Sequence, residues 1–383
     1  MTRRLGLLAL ATLLGGCSSL GWFGGDEAGG PAPLVDFTPR VTVHALWSHD
    51  AGASSKGQVL DLRAAVRGGR VAVADPKGRV TLLDAETGKE IWETDTRTPV
   101  SAGPTLGGGT VVVGTADGQV LALDVESGSV RWQTRVSSEV LSPPAVGSGI
   151  VAVRTVDGRL FGLDVQSGRR LWVFDKGVPL LSLRGTGDPV VAGDLVIDGF
   201  DGGRLVAVAA RDGRQVWETR IASPRGRSDL ERMVDIDSAP ALAEDAVYAV
   251  AYRGQVAALE PGSGKPYWQK DLSSSAGLAV DSRLVFVSDE DSVLWALDRF
   301  NGQVVWKDER MKGRRLTAPV LVARYVVVGD LEGYLHWLRR EDGELVARYR
   351  VDSSGFHSAP EASGGVLYAY GRSGTVEALR AGD

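Results

Sequence analysis

The stretch Asp117-Gly118-Gln119-Val120-Leu121-Ala122-Leu123-Asp124-Val125-Glu126-Ser127-Gly128, followed by Trp132, returns 40 residues later as Asp157-Gly158-Arg159-Leu160-Phe161-Gly162-Leu163-Asp164-Val165-Gln166-Ser167-Gly168, followed by Trp172. A period of this length marks a radial or stacked repeat, and it outranks any local reading of helix or strand. Inside the unit, apolar residues at alternate positions suit an extended strand. The Asp-x-x-Ser/Thr-Gly segment then predicts a reversal, with Asp making local hydrogen bonds and Gly supplying positive φ. A second strand carries the tryptophan.

Working outward with the turn glycine and the tryptophan as two marks, the pairs are Gly78/Trp92, Gly118/Trp132, Gly158/Trp172, Gly202/Trp217, Gly254/Trp268, Ser292/Trp306 and Gly333/Ala347. The gap is 14 residues in six of these and 15 in the fourth. Upstream of the marks stand β-branched runs such as Val111-Val112-Val113 and Ile150-Val151-Ala152-Val153. Short segments such as Ala239-Pro240, Ala318-Pro319 and Ala359-Pro360 precede several of them. Each unit of about 40 residues therefore holds four antiparallel strands, the size of a propeller blade. Gly374 lacks an outer-strand partner before the chain stops at Asp383, while Trp47 stands unmatched at the other end. Pairing the two predicts an all-β, eight-bladed β-propeller closed by an N-terminal strand added to the last blade. Closure removes free sheet edges. Seven of the ten tryptophans fall on the mark, so they read as anchors between blades; Trp295 and Trp337, off the mark on strands, read as core.

The chain carries 43 basic and 48 acidic residues, a net charge of −5, with no basic stripe of the kind a nucleic-acid interface needs. Residues 1–16 have the grammar of an export signal: Arg3 and Arg4, an apolar run from Leu5 to Leu14, then Gly15 and Gly16. Leu14-Gly15-Gly16-Cys17 ends on the only cysteine and resembles the lipobox of bacterial lipoproteins. That resemblance implies lipidation at Cys17, and Ser18 in place of aspartate implies delivery to the outer membrane, facing the periplasm. Residues 17–40 are rich in Gly and Pro and are expected to form a tether, leaving 41–383 for the propeller.

The Leu-Asp-x-x-Ser/Thr-Gly-x-x-x-Trp unit is similar to the blade repeat of pyrroloquinoline quinone dehydrogenases, which raises an enzymatic alternative. Those enzymes typically carry an adjacent-cysteine disulfide at the quinone and a calcium-binding set, whereas Cys17 is alone here. The four histidines, His44, His49, His336 and His357, have no metal-ligand spacing, and Asp289-Glu290-Asp291 lacks the glycine of a calcium loop. No cofactor, metal or catalytic residue is expected.

The spacing from each outer-strand mark to the next turn mark runs 31, 26, 26, 30, 37, 24, 27 and 27 residues around the ring. Two consecutive long connections follow Trp172 and Trp217, and connections between four-stranded blades all emerge on one face. Long loops on a minimal scaffold are favoured places for binding. The first contains Leu181, Leu183 and Arg184, the second Asp235 and Asp237. Composition leaves two readings open: apolar anchors and fixed charges offered to a partner, or leucines filling a gap between blades with aspartates capping turns.

Leu181-Ser182-Leu183-Arg184-Gly185, Val234-Asp235-Ile236-Asp237, Val328-Gly329-Asp330-Leu331-Glu332-Gly333-Tyr334-Leu335-His336-Trp337 and Val351-Asp352-Ser353-Ser354-Gly355-Phe356 resemble the outer-membrane protein assembly factor BamB family. The resemblance spans nearly the whole chain. It implies a non-enzymatic scaffold lipoprotein, one copy in the β-barrel assembly (BAM) complex, that binds a periplasmic POTRA domain of BamA. By motif match, Leu181, Leu183, Arg184, Asp235 and Asp237 would form that contact. Unfolded outer-membrane proteins could add strands to exposed blade edges.

Overall fold

A computed structural model describes residues 30–55, 57, 60–177, 187–223, 233–243, 245–356 and 358–382. From Pro31 onward the chain forms one compact unit. Eight antiparallel sheets make it up, and we number them as blades in chain order. Blade 1 consists of Ala65–Arg67, Arg70–Ala74, Arg79–Asp84 and Glu90–Asp95, and blades 2 to 7 repeat that plan. Blade 8 takes Glu361–Ser363, Val366–Tyr370 and Thr375–Ala381 from the C-terminal end and Val43–Asp50 from the N-terminal end. The closing ladder runs from Val43 opposite Ala381 to Asp50 opposite Thr375, so the expected ring closure is the one observed. First strands line the axis, and blade 8 packs on blade 1.

The turn between third and fourth strands follows the chemistry read from sequence. In blade 2, Asp124 Oδ1 accepts from Ser127 N at 2.8 Å, and Gly128 N donates to Asp124 O at 2.8 Å. Gly128 has φ +69°, and a Cβ there would stand 2.7 Å from the ring of Trp92 in blade 1. Glycine is therefore needed twice, for the backbone and for the neighbour's indole. A β-bulge before Trp132 turns Arg131 and Trp132 to the same side, toward the next blade. At the other turn mark, Ser292 replaces glycine and still adopts φ +64°, helped by Asp289, whose Oδ1 accepts from Asp291 N and Val293 N.

Every marked tryptophan fastens its blade to the next. Nε1 of Trp47, Trp92, Trp132, Trp172, Trp217, Trp268 and Trp306 donates to the carbonyls of Ala85, Val125, Val165, Ala210, Pro261, Arg299 and Arg340, at 2.8 to 3.0 Å. Each acceptor opens the third-to-fourth-strand turn of the following blade. Each such bond contributes about 1 kcal/mol beyond the burial of the ring.

Blade 7 breaks this pattern. Its outer mark is Ala347, and the following blade offers no turn there because the two chain ends meet at that place. Across the ladder, a small residue faces the tryptophan in most blades, as with Ala122 and Trp132; here Trp337 faces Ala347. The indole has moved to the third strand, where it is buried at 1 % exposure, and its Nε1 has no acceptor among the described residues. Trp295, also off the mark on a third strand, is only half-buried and donates to Asp289 Oδ2 at 2.7 Å.

Residues 31–41 lie as a strap along blade 7. Ala32 N donates to Lys312 O, Arg314 Nη1 to Ala32 O, Arg348 Nη2 to Val35 O and Arg40 N to Val346 O, at 2.9 to 3.1 Å. Val35 and Phe37 pack against the apolar cluster that holds Leu338 and Leu345. A buried relay backs the strap: Arg314 Nε and His336 Nε2 both meet Asp330 Oδ2, and Arg348 Nε donates to His336 Nδ1 at 3.3 Å.

Candidate functional site at the axis and its face

Blade-to-blade connections emerge on the same face as the turns between second and third strands, as Thr96 N donating to Gly78 O at 2.9 Å illustrates. Leu181, Leu183 and Arg184, and the lipidation position Cys17, lie outside the described residues. Residues 187–189 and 233–240, the described ends of the two long connections that lead into blades 4 and 5, are tied firmly to the scaffold. Ser142 Oγ of the preceding connection donates to Gly187 O at 3.0 Å, and Arg63 donates to Asp188. In the second connection, Gly202 N donates to Val234 O at 2.8 Å and to Asp235 Oδ1 at 3.2 Å, while Tyr252 N donates to Asp235 O at 2.8 Å. Ile236 presses on Gly199 so closely that a Cβ there would stand 2.4 Å from Ile236 Cγ2.

Of the two predicted aspartates, Asp235 is 3 % exposed and fixes the loop between blades 4 and 5. Asp237 is half-buried and lines the axial cavity. Burial, reinforced by the neighbouring Asp235 and Asp201 carboxylates, pushes its pKa up to about 7.

Beneath these connections lies a charge cluster that reading the sequence did not find. Arg63 Nη2 meets Asp61 Oδ2 at 2.9 Å as well as Asp188, and Ser358 Oγ donates to Asp61 Oδ1 at 2.7 Å. Arg154 lies 3.9 Å over the ring of Phe200 and 3.9 Å from both Asp198 and Asp201. Arg154 and Asp198 are 2 % and 0 % exposed, yet neither Asp198 oxygen, nor Nε or Nη1 of Arg154, makes a well-formed hydrogen bond. Burial pushes Asp198 up to about 7, and Asp188 and Asp201 to about 6, with the arginines offsetting only part of it. Two axial cavities of about 530 and 400 Å³ share Arg63, Asp188, Ala239 and Glu361 at their common neck.

Signals for this cluster existed. The 31-residue spacing after Trp47 is as long as the one after Trp172, and it brings in Asp61–Leu62, a short strand parallel to blade 2, followed by Arg63. Arg154 ends, and Asp198 interrupts, an otherwise apolar second strand. Such an acid-rich, partly desolvated centre can take up a partner's cationic or hydrogen-bond-donating group. Among the described residues, no three His, Cys, Asp or Glu side chains are grouped to hold a metal ion.

Comparisons with known proteins agree with this architecture. A profile for the family described as "Outer membrane protein assembly factor BamB" matches residues 42–125 and 76–308. The assembly factor BamB of Alkalilimnicola ehrlichii is 54 % identical over 347 residues, 91 % of each chain. The crystal structure of BamB from Moraxella catarrhalis superposes with a TM-score of 0.80 at 27 % identity, covering 88 % of this chain and 100 % of that one. A quinohemoprotein alcohol dehydrogenase from Comamonas testosteroni gives 0.69 at 14 % identity, covering 88 % of this chain and 76 % of that one, a likeness of fold alone. Sequence identity of this extent, over a propeller with the same repeat, places the chain in the family of the outer-membrane protein assembly factor BamB.

Proposed function

We propose that this protein is a non-enzymatic scaffold of the outer-membrane β-barrel assembly machinery, docking a periplasmic POTRA domain of BamA on the face that carries the two long connections. The observation that carries the reading is their convergence: Asp188 from the first and Asp235 and Asp237 from the second meet over one charge cluster, each braced by separate blades. A rigid frame under long loops reduces the ordering cost of binding. Leu181, Leu183 and Arg184 would supply the anchors and Asp237 a half-buried charge, with Asp235 acting through the loop it holds. Truncating a few central anchors removes most of an interface's affinity.

In this reading residues 1–16 are removed on export, Cys17 carries the lipid that holds the protein at the periplasmic side of the outer membrane, and the chain up to the strap is the tether. Co-purification of the detergent-solubilised protein with BamA tests the docking. A double variant Leu183→Asp/Arg184→Glu should lose BamA while keeping the thermal midpoint of the parent. Retention of BamA by a correctly folded double variant would refute the assignment of the face.

A further inference from the structure

Around the axial cavity of about 400 Å³, the described lining residues set four carboxylates, Asp61, Asp188, Asp237 and Glu361, against one cation, Arg63. They come from distant parts of the chain. Asp188 stands two residues before blade 4 and Asp237 four before blade 5, at the ends of the two long connections, while Glu361 opens blade 8. Arg63 belongs to none of these. It follows the short strand Asp61–Leu62, which pairs in parallel with Ala102 and Gly103, the first strand of blade 2. That blade therefore has five strands, and the fifth stands inside the ring.

The inserted strand is a fixed base. Asp61 N donates to Ser101 O at 3.1 Å, and Ser358 Oγ, from the connection into blade 8, donates to Asp61 Oδ1 at 2.7 Å. Arg63 Nη2 meets Asp61 Oδ2 at 2.9 Å and also Asp188, so a single nitrogen joins the insertion to the end of the first long connection. Ser142 Oγ on Gly187 O is the neighbouring hold. Burial pushes the Asp188 pKa up to about 6, with Arg63 opposing the rise and Asp61 adding to it. Asp188 in turn adds to the rise at Asp237. Without the guanidinium, like charges from three directions would act on Asp188 with nothing to retain it.

We infer that Arg63 is the positioning residue of the docking face: from a strand inserted in the ring, it holds the end of the first long connection against the like charge of the second. The inference rests on the docking face proposed above. Arg63 is assigned no contact with the partner. It acts by fixing Asp188, and so the point where the connection carrying Leu181, Leu183 and Arg184 joins the scaffold. A loop end fixed before binding spares part of the ordering cost of association.

The test measures the affinity of the full-length, detergent-solubilised protein for BamA, together with hydrogen exchange. Arg63→Gln should weaken binding about tenfold, the scale of one charge-assisted hydrogen bond. It should also quicken exchange at residues 187–192 while the strands of blades 2 and 3 keep their protection. Arg63→Lys, which keeps the charge, should recover most of the affinity. Asp188→Asn removes the anchor and relieves the repulsion together, so it should fold even where Arg63→Gln does not, and weaken binding less. The double variant Arg63→Gln/Asp188→Asn should bind no more weakly than Arg63→Gln, because the two residues act as a pair. Unchanged exchange at residues 187–192, or losses that add in the double variant, would overturn the inference. Leu183→Asp/Arg184→Glu, measured alongside, separates the two readings. If it loses BamA while Arg63→Gln binds fully, the positioning role falls and the face stands; if both bind fully, the face falls and the positioning role with it.

Discussion

The rim of the ring and its axis treat polar groups in opposite ways. At the rim, seven indole N–H groups each find a carbonyl in the neighbouring blade, and the turn glycines leave room for the rings. At the axis, Arg154 and Asp198 are buried together at 3.9 Å without well-formed hydrogen bonds, and four aspartates are held well above the ordinary carboxylate range. A buried polar group without a partner is costly, and natural proteins tolerate such costs where a task requires them. The contrast separates the part of the molecule that secures the fold from the part beneath the face proposed for docking.

The largest expected effect lies at the rim. Trp132→Ala should cost about 3–5 kcal/mol, since it empties a core position and leaves the Val165 carbonyl without its donor. A urea titration that moves by less than about 1 kcal/mol would break the comparison. Next, phenylalanine distinguishes the blades: Trp132→Phe should cost about 1–2 kcal/mol through the lost bond, whereas Trp337→Phe should cost less, because that N–H has no acceptor to lose. Equal losses would show that ring volume alone matters.

At the axis the sign reverses. A carboxyl raised from its ordinary range to about 7 favours the fold when protonated, so this contribution is present at low pH and is lost as pH rises through 7. Asp198→Asn should therefore raise the urea midpoint at pH 8 and shrink the gain the parent shows between pH 8 and pH 5.5; a lower midpoint at pH 8 would refute the account. The smallest effect belongs to the strap. Burial holds His336 below its usual pKa, and its Nδ1 accepts from Arg348, which in turn grips Val35 O. Stability from this group is complete above the unfolded histidine value of about 6.5 and declines as pH falls below it. Hydrogen exchange of residues 31–41 should quicken below about pH 6 in the parent and much less in His336→Gln.

These two regions were unequally legible in the amino-acid sequence. Each blade solves one packing problem with the same residues, so Gly118 and Trp132 recur at fixed distance and the eight blades and their closure can be counted directly. Trp337 could be assigned to the core, but its exchange with Ala347 makes sense only once the chain ends are seen to occupy the place of the next turn. The axial cluster has no period. Arg63 and Asp188 meet across 125 residues, and nothing local to either announces the other. The break in the repeat drew attention to the segment holding Leu181, Leu183 and Arg184, and only the family resemblance singled those residues out; of the two aspartates, Asp235 braces the loop whereas Asp237 lines the cavity.

Ring closure also bears on how the molecule comes to exist. Ser54 bonds to Arg372 across 318 residues, and the whole Val43–Asp50 ladder waits for the last strand made. Contacts of such separation are entropically expensive to form early, so the earliest-synthesised strand must remain unpaired until synthesis is nearly complete. Until then that strand is an adhesive edge in need of protection, and a chain cut short by a dozen residues would carry the same hazard permanently.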